Sequence, residues 1–521
     1  MERGATSGYR LQREALMLAR DSGRILLVAS VAGVITAFTI YFYKRKKSEH
    51  KWSIPIALPE KSRFLIGHAD YLSTLSGNYE ICVKCANSEG VSRFHFLNST
   101  AVSVLKAEHV EQLLTSSNFR QDIAFLSRHN DMFLGSKALI SLKHDNWKKA
   151  RKNLARAFSW ECLKTMVSDI NQVCEVFLET LTKLHGRPVD LWSTMKCITI
   201  EIIGKTAFGY NFNCVSSLTP SPIVEAFDHL LSEHQRRCFE DPLNPFSYFY
   251  GLPCESNFQH KKSRDLIRNT INSIIENRIF RRKNDSQFVE HNDLLKYLLD
   301  SFEENGDLSD PILLADNLMT MLFAGYDTSS ITLAYAFYMM AKHPYVATKA
   351  REEVLRVLGP NGWPSYDDLH SGLPYCLAVV KECLRLYPPA PVTMRDLETP
   401  FELKINESIT ETLPAGTTIY IPIWWIHRSE HNFETPEEFD PERFFDPDRA
   451  KKIHRFAHIA FSGGGRDCIG RRFAMLELVA IFATVIRRIS FECSSDYKVT
   501  PECHGFVQRP LEGISLDLKV L

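Results

Sequence analysis

"FSGGGRDCIG", Phe461 to Gly470, packs three consecutive glycines, an arginine and a lone cysteine into one short loop. Glycine lowers local order, and a fold tolerates a run of it where backbone must come close to something else. The residues that follow, "RRFAMLELVAIFATVIRR", read as a helix, so Cys468 sits at a helix N-terminus. There the backbone dipole and free N–H groups favour thiolate over thiol. A thiolate in that place is either a nucleophile or an iron ligand. A nucleophile wants a histidine base beside it; the loop holds none, and only tertiary structure can bring one. Three glycines leave room for a flat, bulky partner against the backbone, and haem iron on a cysteine ligand fits that space.

Upstream lies "DPILLADNLMTMLFAGYDTSSITLAYAFYMMAKHP". Asp310 is a suitable N-cap and Pro311 suits the first helical position. The helix is then apolar on nearly every face until His343-Pro344, which predicts a rod buried through the middle of a domain. Inside it, Gly325 costs ~1 kcal/mol relative to alanine. Asp327 and Thr328 put a carboxylate and a hydroxyl in a buried stretch, which destabilises unless they have partners. Either they serve a site, or Thr328 bonds back to a carbonyl of its own helix. A second helix, "YCLAVVKECLRLYPP", carries Glu382 and Arg385 three apart on one apolar-flanked face. A buried pair of that kind needs further bonds. Arg443 of "FDPERFFDP" is the expected third partner, in a structural role.

From Ala101 to Tyr387 apolar residues recur every three or four positions, and short strand-like runs appear in "FELKI", "GTTIYIPI" and "GISLDLKVL". The fold class is mainly α with small β-sheets, and no βαβ repeat is present. Lys+Arg of 62 against Asp+Glu of 62 leaves no basic excess, which argues against a nucleic-acid partner. Thirteen cysteines, odd in number and without framework spacing, point to reduced thiols. Cys82 and Cys85 in "EICVKCAN" lack the further ligands a zinc site needs. The alternation of Tyr79, Ile81 and Val83 around them predicts a strand.

The N-terminal part is organised differently. Residues 1–24 form a tail, and 25–43, "ILLVASVAGVITAFTIYFY", an uncharged run ending in aromatics and followed by four cations. About 20 such residues cross a bilayer, so one transmembrane anchor is expected. Residues 44–62 make a basic, Pro-containing linker, and 63–521 read as one large domain without an internal divider. The cations after the anchor place that domain in the cytosol at the endoplasmic reticulum. Arg10, Arg13, Arg20 and Arg24 ahead of it leave a mitochondrial membrane as the alternative.

Five motifs in order carry a resemblance. They are "NWKKAR" (Trp147, Arg151), "AGYDT", "ECLR" (Glu382, Arg385), "PERF" (Arg443) and the cysteine loop with Phe461, Gly464, Arg466, Cys468 and Gly470. Together they resemble the cytochrome P-450 family of haem-thiolate monooxygenases, over essentially everything after the anchor. The resemblance implies a triangular helical prism with a long central helix, binding haem b (iron protoporphyrin IX). Cys468 would be the axial iron ligand, with Phe461 packed near the sulfur. Trp147, Arg151, Arg395 and Arg466 would bind the haem propionates. Asp327 and Thr328 resemble the acid–alcohol pair that relays protons, with Ala324 and Gly325 leaving space for oxygen.

Two positions depart from the family pattern. Asp145 stands where a glycine usually precedes the tryptophan, which predicts a local turn difference. Ala324 replaces the glutamate that bonds covalently to haem in some fatty-acid hydroxylases, so coordination and packing alone would hold the group. The chain ends at Leu521 without a flavin or iron–sulfur domain. The resemblance therefore implies a separate electron donor, an NADPH-dependent reductase, docking near Lys148, Lys149, Lys152, Arg471 and Arg472. Other partners would be O2, membrane lipid and a lipophilic substrate, such as a fatty acid or isoprenoid. Leu322, Phe323, Pro391 to Thr393 and Phe506 to Gln508 would face that substrate. Two alternatives stand beside the monooxygenase: a hydroperoxide isomerase or lyase on the same fold, against which the intact Asp327-Thr328 pair argues, and a non-catalytic haem binder.

Overall fold

The computed structural model describes residue 52 and residues 67–96, 99–116, 119–120, 130–240, 253–304, 310–504 and 507–521. The expected tail, the anchor at 25–43, nearly all of the linker and Phe506 lie outside the described residues. No described helix is long and apolar enough to cross a membrane.

The body is helical. Its main helices are α1 (Ala107–Thr115), α2 (His144–Ala155), α3 (Trp160–Thr182), α4 (Leu191–Phe208), α5 (Pro222–Gln235) and α6 (Glu255–Asn284). There follow α7 (Leu294–Glu304), α8 (Pro311–Lys342), α9 (Pro344–Leu358), α10 (Pro374–Leu386) and α11 (Arg471–Arg488). The strands are short: β1 (Val91–Phe96), β2 (Ser99–Val104), β3 (Phe119–Arg120), β4 (Pro188–Asp190), β5 (Thr393–Leu397) and β6 (Phe401–Lys404). Then come β7 (Thr410–Leu413), β8 (Thr418–Ile421), β9 (Ile489–Glu492), β10 (Pro501–His504), β11 (Val507–Pro510) and β12 (Ser515–Val520). One sheet runs β1-β2-β8-β5-β3, parallel only at β2–β8; β4-β12-β9, β10-β11 and β6-β7 form the smaller ones.

The long apolar helix is α8. Asp310 accepts a bond from the Leu313 N–H at 3.1 Å, Pro311 opens the first turn, and the helix stops at His343. Its side chains are buried on nearly every face, because α3, α4, α10 and α11 contribute to the same apolar core. Gly325 makes the closest approach possible: a Cβ there would stand 3.0 Å from two side-chain carbons of Ile203 on α4. The side of Gly325 where a Cβ would project therefore serves helix–helix contact.

The strand expected around Cys82 is also overturned. Leu75–Tyr79 is α-helical and Glu80–Lys84 continues it with wider π-helical turns. Thr74 caps this segment by accepting the Gly77 N–H at 3.0 Å. Leu75, Asn78, Ile81 and Cys82 form its buried face, a helical spacing that the Tyr79/Ile81/Val83 alternation hid. The charged triad does come together. Arg385 Nε and Nη2 each donate to Glu382 at 2.8 Å, and Arg443 Nε lies 3.4 Å from the same carboxylate. Arg385 also donates to the carbonyls of His427 at 2.8 Å and Glu438 at 2.9 Å, so a buried guanidinium ties α10 to an irregular stretch.

Candidate active site

Three elements converge on Cys468. Its loop is closed by the Cys468 N–H donating to the Phe461 carbonyl at 2.9 Å. Gly464 has φ +69, and a Cβ there would lie 1.8 Å from the Leu114 carbonyl oxygen, so only glycine lets the loop rest on the end of α1. From α2, Arg151 donates to the Asp467 carbonyl at 2.7 Å and pairs with the Asp467 carboxylate. Trp147 offers its ring to Arg466, whose guanidinium carbon is 3.5 Å from the ring centre. Downstream, Ser329 of α8 donates to Glu477 of α11 at 2.6 Å, fastening the central helix to the helix that the cysteine loop opens.

The Cys468 side chain is exposed, yet protein surrounds it closely enough for burial to push its thiol up. The side chain thus opens onto internal space. The Gly470 N–H and the guanidiniums of Arg151 and Arg471 act the other way and do not prevail. In the protein alone, desolvation thus acts against the lowering that the helix start and the neighbouring cations give. A bound cation would reverse that balance, since a metal-ligating thiol gives up its proton.

Positive charge gathers nearby without compensation. Arg395 is almost fully buried and is pushed down to about 10 by burial and then by neighbouring Arg466. Its Nη1 donates to Thr393 Oγ1 and to the Met394 carbonyl, both at 2.7 Å. Arg466 is likewise pushed down to about 10, by burial and by Arg151. Neither guanidinium has a carboxylate partner among the described residues, whereas Arg151 has Asp467. Arg151 thus braces the loop through Asp467. Two uncompensated guanidiniums beside an accessible sulfur fit a flat group that carries both a metal and carboxylates, as haem does.

On α8, Thr320, Ala324 and Thr328 make the one partly open stripe among buried neighbours. The Thr328 hydroxyl donates to the Ala324 carbonyl at 2.7 Å, so it does bond back within its helix, and it keeps its lone pairs for another donor. Asp327, about 100° round the helix, points elsewhere. It is fully buried and accepts a bond from Arg509 Nη2 at 2.9 Å. Burial pushes its carboxyl up, with Arg509 opposing. Leu322 packs beside Phe208 and Ile271, on the core side of the helix. Phe323 stacks edge-on with Phe133 at 4.8 Å. Gln508 donates to the Tyr335 hydroxyl at 2.6 Å. Leu322 and Gln508 are thus core groups, contrary to their expected place on a substrate surface.

Arg509 and Glu477 escaped the sequence reading. Nothing local marks Arg509, which meets Asp327 from 182 residues away. Glu477 did carry a signal, a lone carboxyl in the apolar run "FAMLELVAIF", which is the same buried-polar argument that singled out Asp327.

This arrangement has room and charge for a flat, metal-bearing carboxylate group beside a cysteine. A family model of cytochrome P450 matches residues 58–516. The chain is 29% identical over 434 residues to the cytokinin hydroxylase of Arabidopsis thaliana, covering 82% of this chain and 81% of that one. It is 26% identical over 488 residues to cytochrome P450 4V2 of Mus musculus, covering 90% and 91%. With cytochrome P450 4A14 of Rattus norvegicus it shares 30% identity over 396 residues, 74% and 75% of the two chains. The chain belongs to the cytochrome P450 family. It is a monooxygenase of the haem-thiolate kind, acting on a lipophilic substrate.

Proposed function

We propose that this enzyme is a membrane-anchored hydroxylase or epoxidase of a fatty acid or isoprenoid. Cys468 would ligate the iron of haem b, with Phe461 and the Cys468–Phe461 backbone bond fixing the sulfur's position. Arg395 and Arg466 are read as the partners of the haem carboxylates, with Trp147 holding Arg466 flat. When bound, haem supplies the reduction of O2 and the insertion of one oxygen atom. The chain's own residues have three tasks there: to hold the group, to exclude water with the apolar face of α8, and to deliver protons from Asp327 and Thr328. The Thr328 hydroxyl, already donating to Ala324, is placed to accept and pass on a hydrogen bond. Arg151 keeps the cysteine loop closed through Asp467.

The observation that carries the haem assignment is the pair of uncompensated guanidiniums beside an accessible, loop-held cysteine. Segment 25–43 is read as a single anchor, with residues 63–521 facing the cytosol at the endoplasmic reticulum. Electrons come from a separate NADPH-dependent reductase.

The test is the carbon-monoxide difference spectrum of the dithionite-reduced full chain beside Cys468→Ser. A Soret band at the thiolate position, lost in the variant, is expected. An unchanged band would overturn the axial assignment. Screening lipid classes for a spin-state shift then identifies the substrate class.

A further inference from the structure

Away from the cysteine loop, α2, the end of α7 and the start of α8 border a cavity of about 500 Å3. Small-molecule sites span roughly 300–1,000 Å3, so the space is large enough for a ligand. Its position separates it from the haem site. Leu313, in its wall, precedes Thr328 on α8 by a stretch of about 22 Å at ~1.5 Å per residue. On α2 the cavity takes Asn146, Lys149 and Asn153, a stripe along one face. Trp147 and Arg151 stand roughly 100° or more round that helix and meet the cysteine loop instead.

The wall at the start of α8 is pinned by hydrogen bonds. Asp316 accepts the Lys137 N–H at 3.0 Å and a bond from Arg268 of α6 at 2.7 Å. Asn317 accepts the Leu139 N–H at 3.0 Å and donates to the Lys137 carbonyl at 3.2 Å. A space held in this way is preformed, which lowers the ordering cost of binding. Its chemistry is two-sided. Leu154, Phe302 and Leu313 give an apolar floor. The charged lining groups are two lysines, Lys137 and Lys149, against one aspartate, Asp310, a formal excess of one positive charge. Asp310 is already engaged by Lys137 and by the Leu313 N–H. The side-chain amides of Asn146 and Asn153 make no hydrogen bond among the described residues and can donate to a ligand.

We propose that this cavity is a second ligand site, which takes an amphiphilic monocarboxylate. Its apolar body lies on the Leu154–Phe302–Leu313 floor, and its carboxylate meets Lys149 and the two asparagine amides. Leu142 carries the occupancy inward. It lines the cavity, and its carbonyl accepts a bond from Arg466 Nη1 at 3.4 Å. A filled cavity steadies the segment on which Arg466 rests and so slows haem loss. That link, unlike the site, rests on the reading of Arg466 as a haem partner.

The test is equilibrium dialysis of the full-length holoenzyme against radiolabelled 4-phenylbutyrate, with the haem site filled by a bulky iron-binding azole. One probe molecule per chain is expected to bind. Asn153→Trp, which puts an indole into the cavity, should weaken that binding at least tenfold, and Lys149→Glu at least threefold, with the carbon-monoxide band of the azole-free protein intact. 4-Phenylbutylamine should not compete. Absence of azole-insensitive binding, or equal binding in wild type and Asn153→Trp, would overturn the site, and competition by the amine would overturn the choice of a carboxylate. The probe should also slow haem transfer to apomyoglobin at least twofold in wild type and not in Asn153→Trp; an unaltered rate in wild type would overturn the link through Leu142. A wild-type protein without a thiolate band would instead overturn the proposed function, while a dialysis difference between wild type and Asn153→Trp would still uphold the site.

Discussion

Arg395 is buried and Arg466 half-buried, and the charge that acts on each is another guanidinium, an arrangement a polypeptide does not choose for its own stability. Arg395→Met or Arg466→Met should therefore leave the haem-free protein as stable as wild type or more so, while weakening haem retention. A charge-assisted bond contributes about 1.5–3 kcal/mol, so haem transfer to apomyoglobin should speed up about tenfold or more. Glu477 makes a separate prediction. Burial pushes its carboxyl up to about 8, against an ordinary value of 4.5, with Ser329 opposing. The folded state thus holds a proton that the unfolded chain releases, and stability is full below pH 4.5 and falls as pH rises towards 8. The slope is at most about 1.4 kcal/mol per pH unit for one group. Urea titrations between pH 5 and 8 should show this loss in wild type and not in Glu477→Gln.

Packing between elements decides the next scale. Gly325 and Ile203 bring α8 and α4 into close contact, and overpacking such a seam costs about 1–3 kcal/mol. Gly325→Val should lower the melting temperature, and a second change, Ile203→Ala, should recover part of the loss. Around α10, removing Glu382 would strand the fully buried Arg385. Breaking a buried pair from one side costs about 3–5 kcal/mol. Glu382→Ala is expected to yield little haem-loaded protein, as read by the carbon-monoxide band. α8 was legible because a cap, a proline and an all-round apolar pattern coincide in one segment. The helix at Leu75–Tyr79 was not, since its buried Asn78 breaks the apolar period and leaves an alternation that mimics a strand.

At the scale of the whole molecule the chain is electrically balanced, but Lys148, Lys152, Arg471 and Arg472 are exposed around the cysteine loop and α2. Complementary charge steers association and is screened by salt. If the reductase docks there, Lys148→Glu with Lys152→Glu should raise its half-saturating concentration several-fold at low ionic strength. The difference should shrink as salt is added. Unchanged kinetics at low salt would place the docking surface elsewhere.

By itself the sequence determined the family, the cysteine loop, the central helix and the partners of the Glu382 triad, because each is marked by residue types at short, regular spacing. Tertiary structure alone decided what those residues do to one another. It sent Arg151 to Asp467 and Gly325 to Ile203, surrounded the Cys468 sulfur closely enough for burial to push its thiol up, and joined Asp327 to Arg509 and Asp228. The physical reason is range. Caps, periodicity and loop glycines act over one or two turns of chain, whereas desolvation and ion pairing depend on every element that arrives at a site, however distant its residues are in sequence.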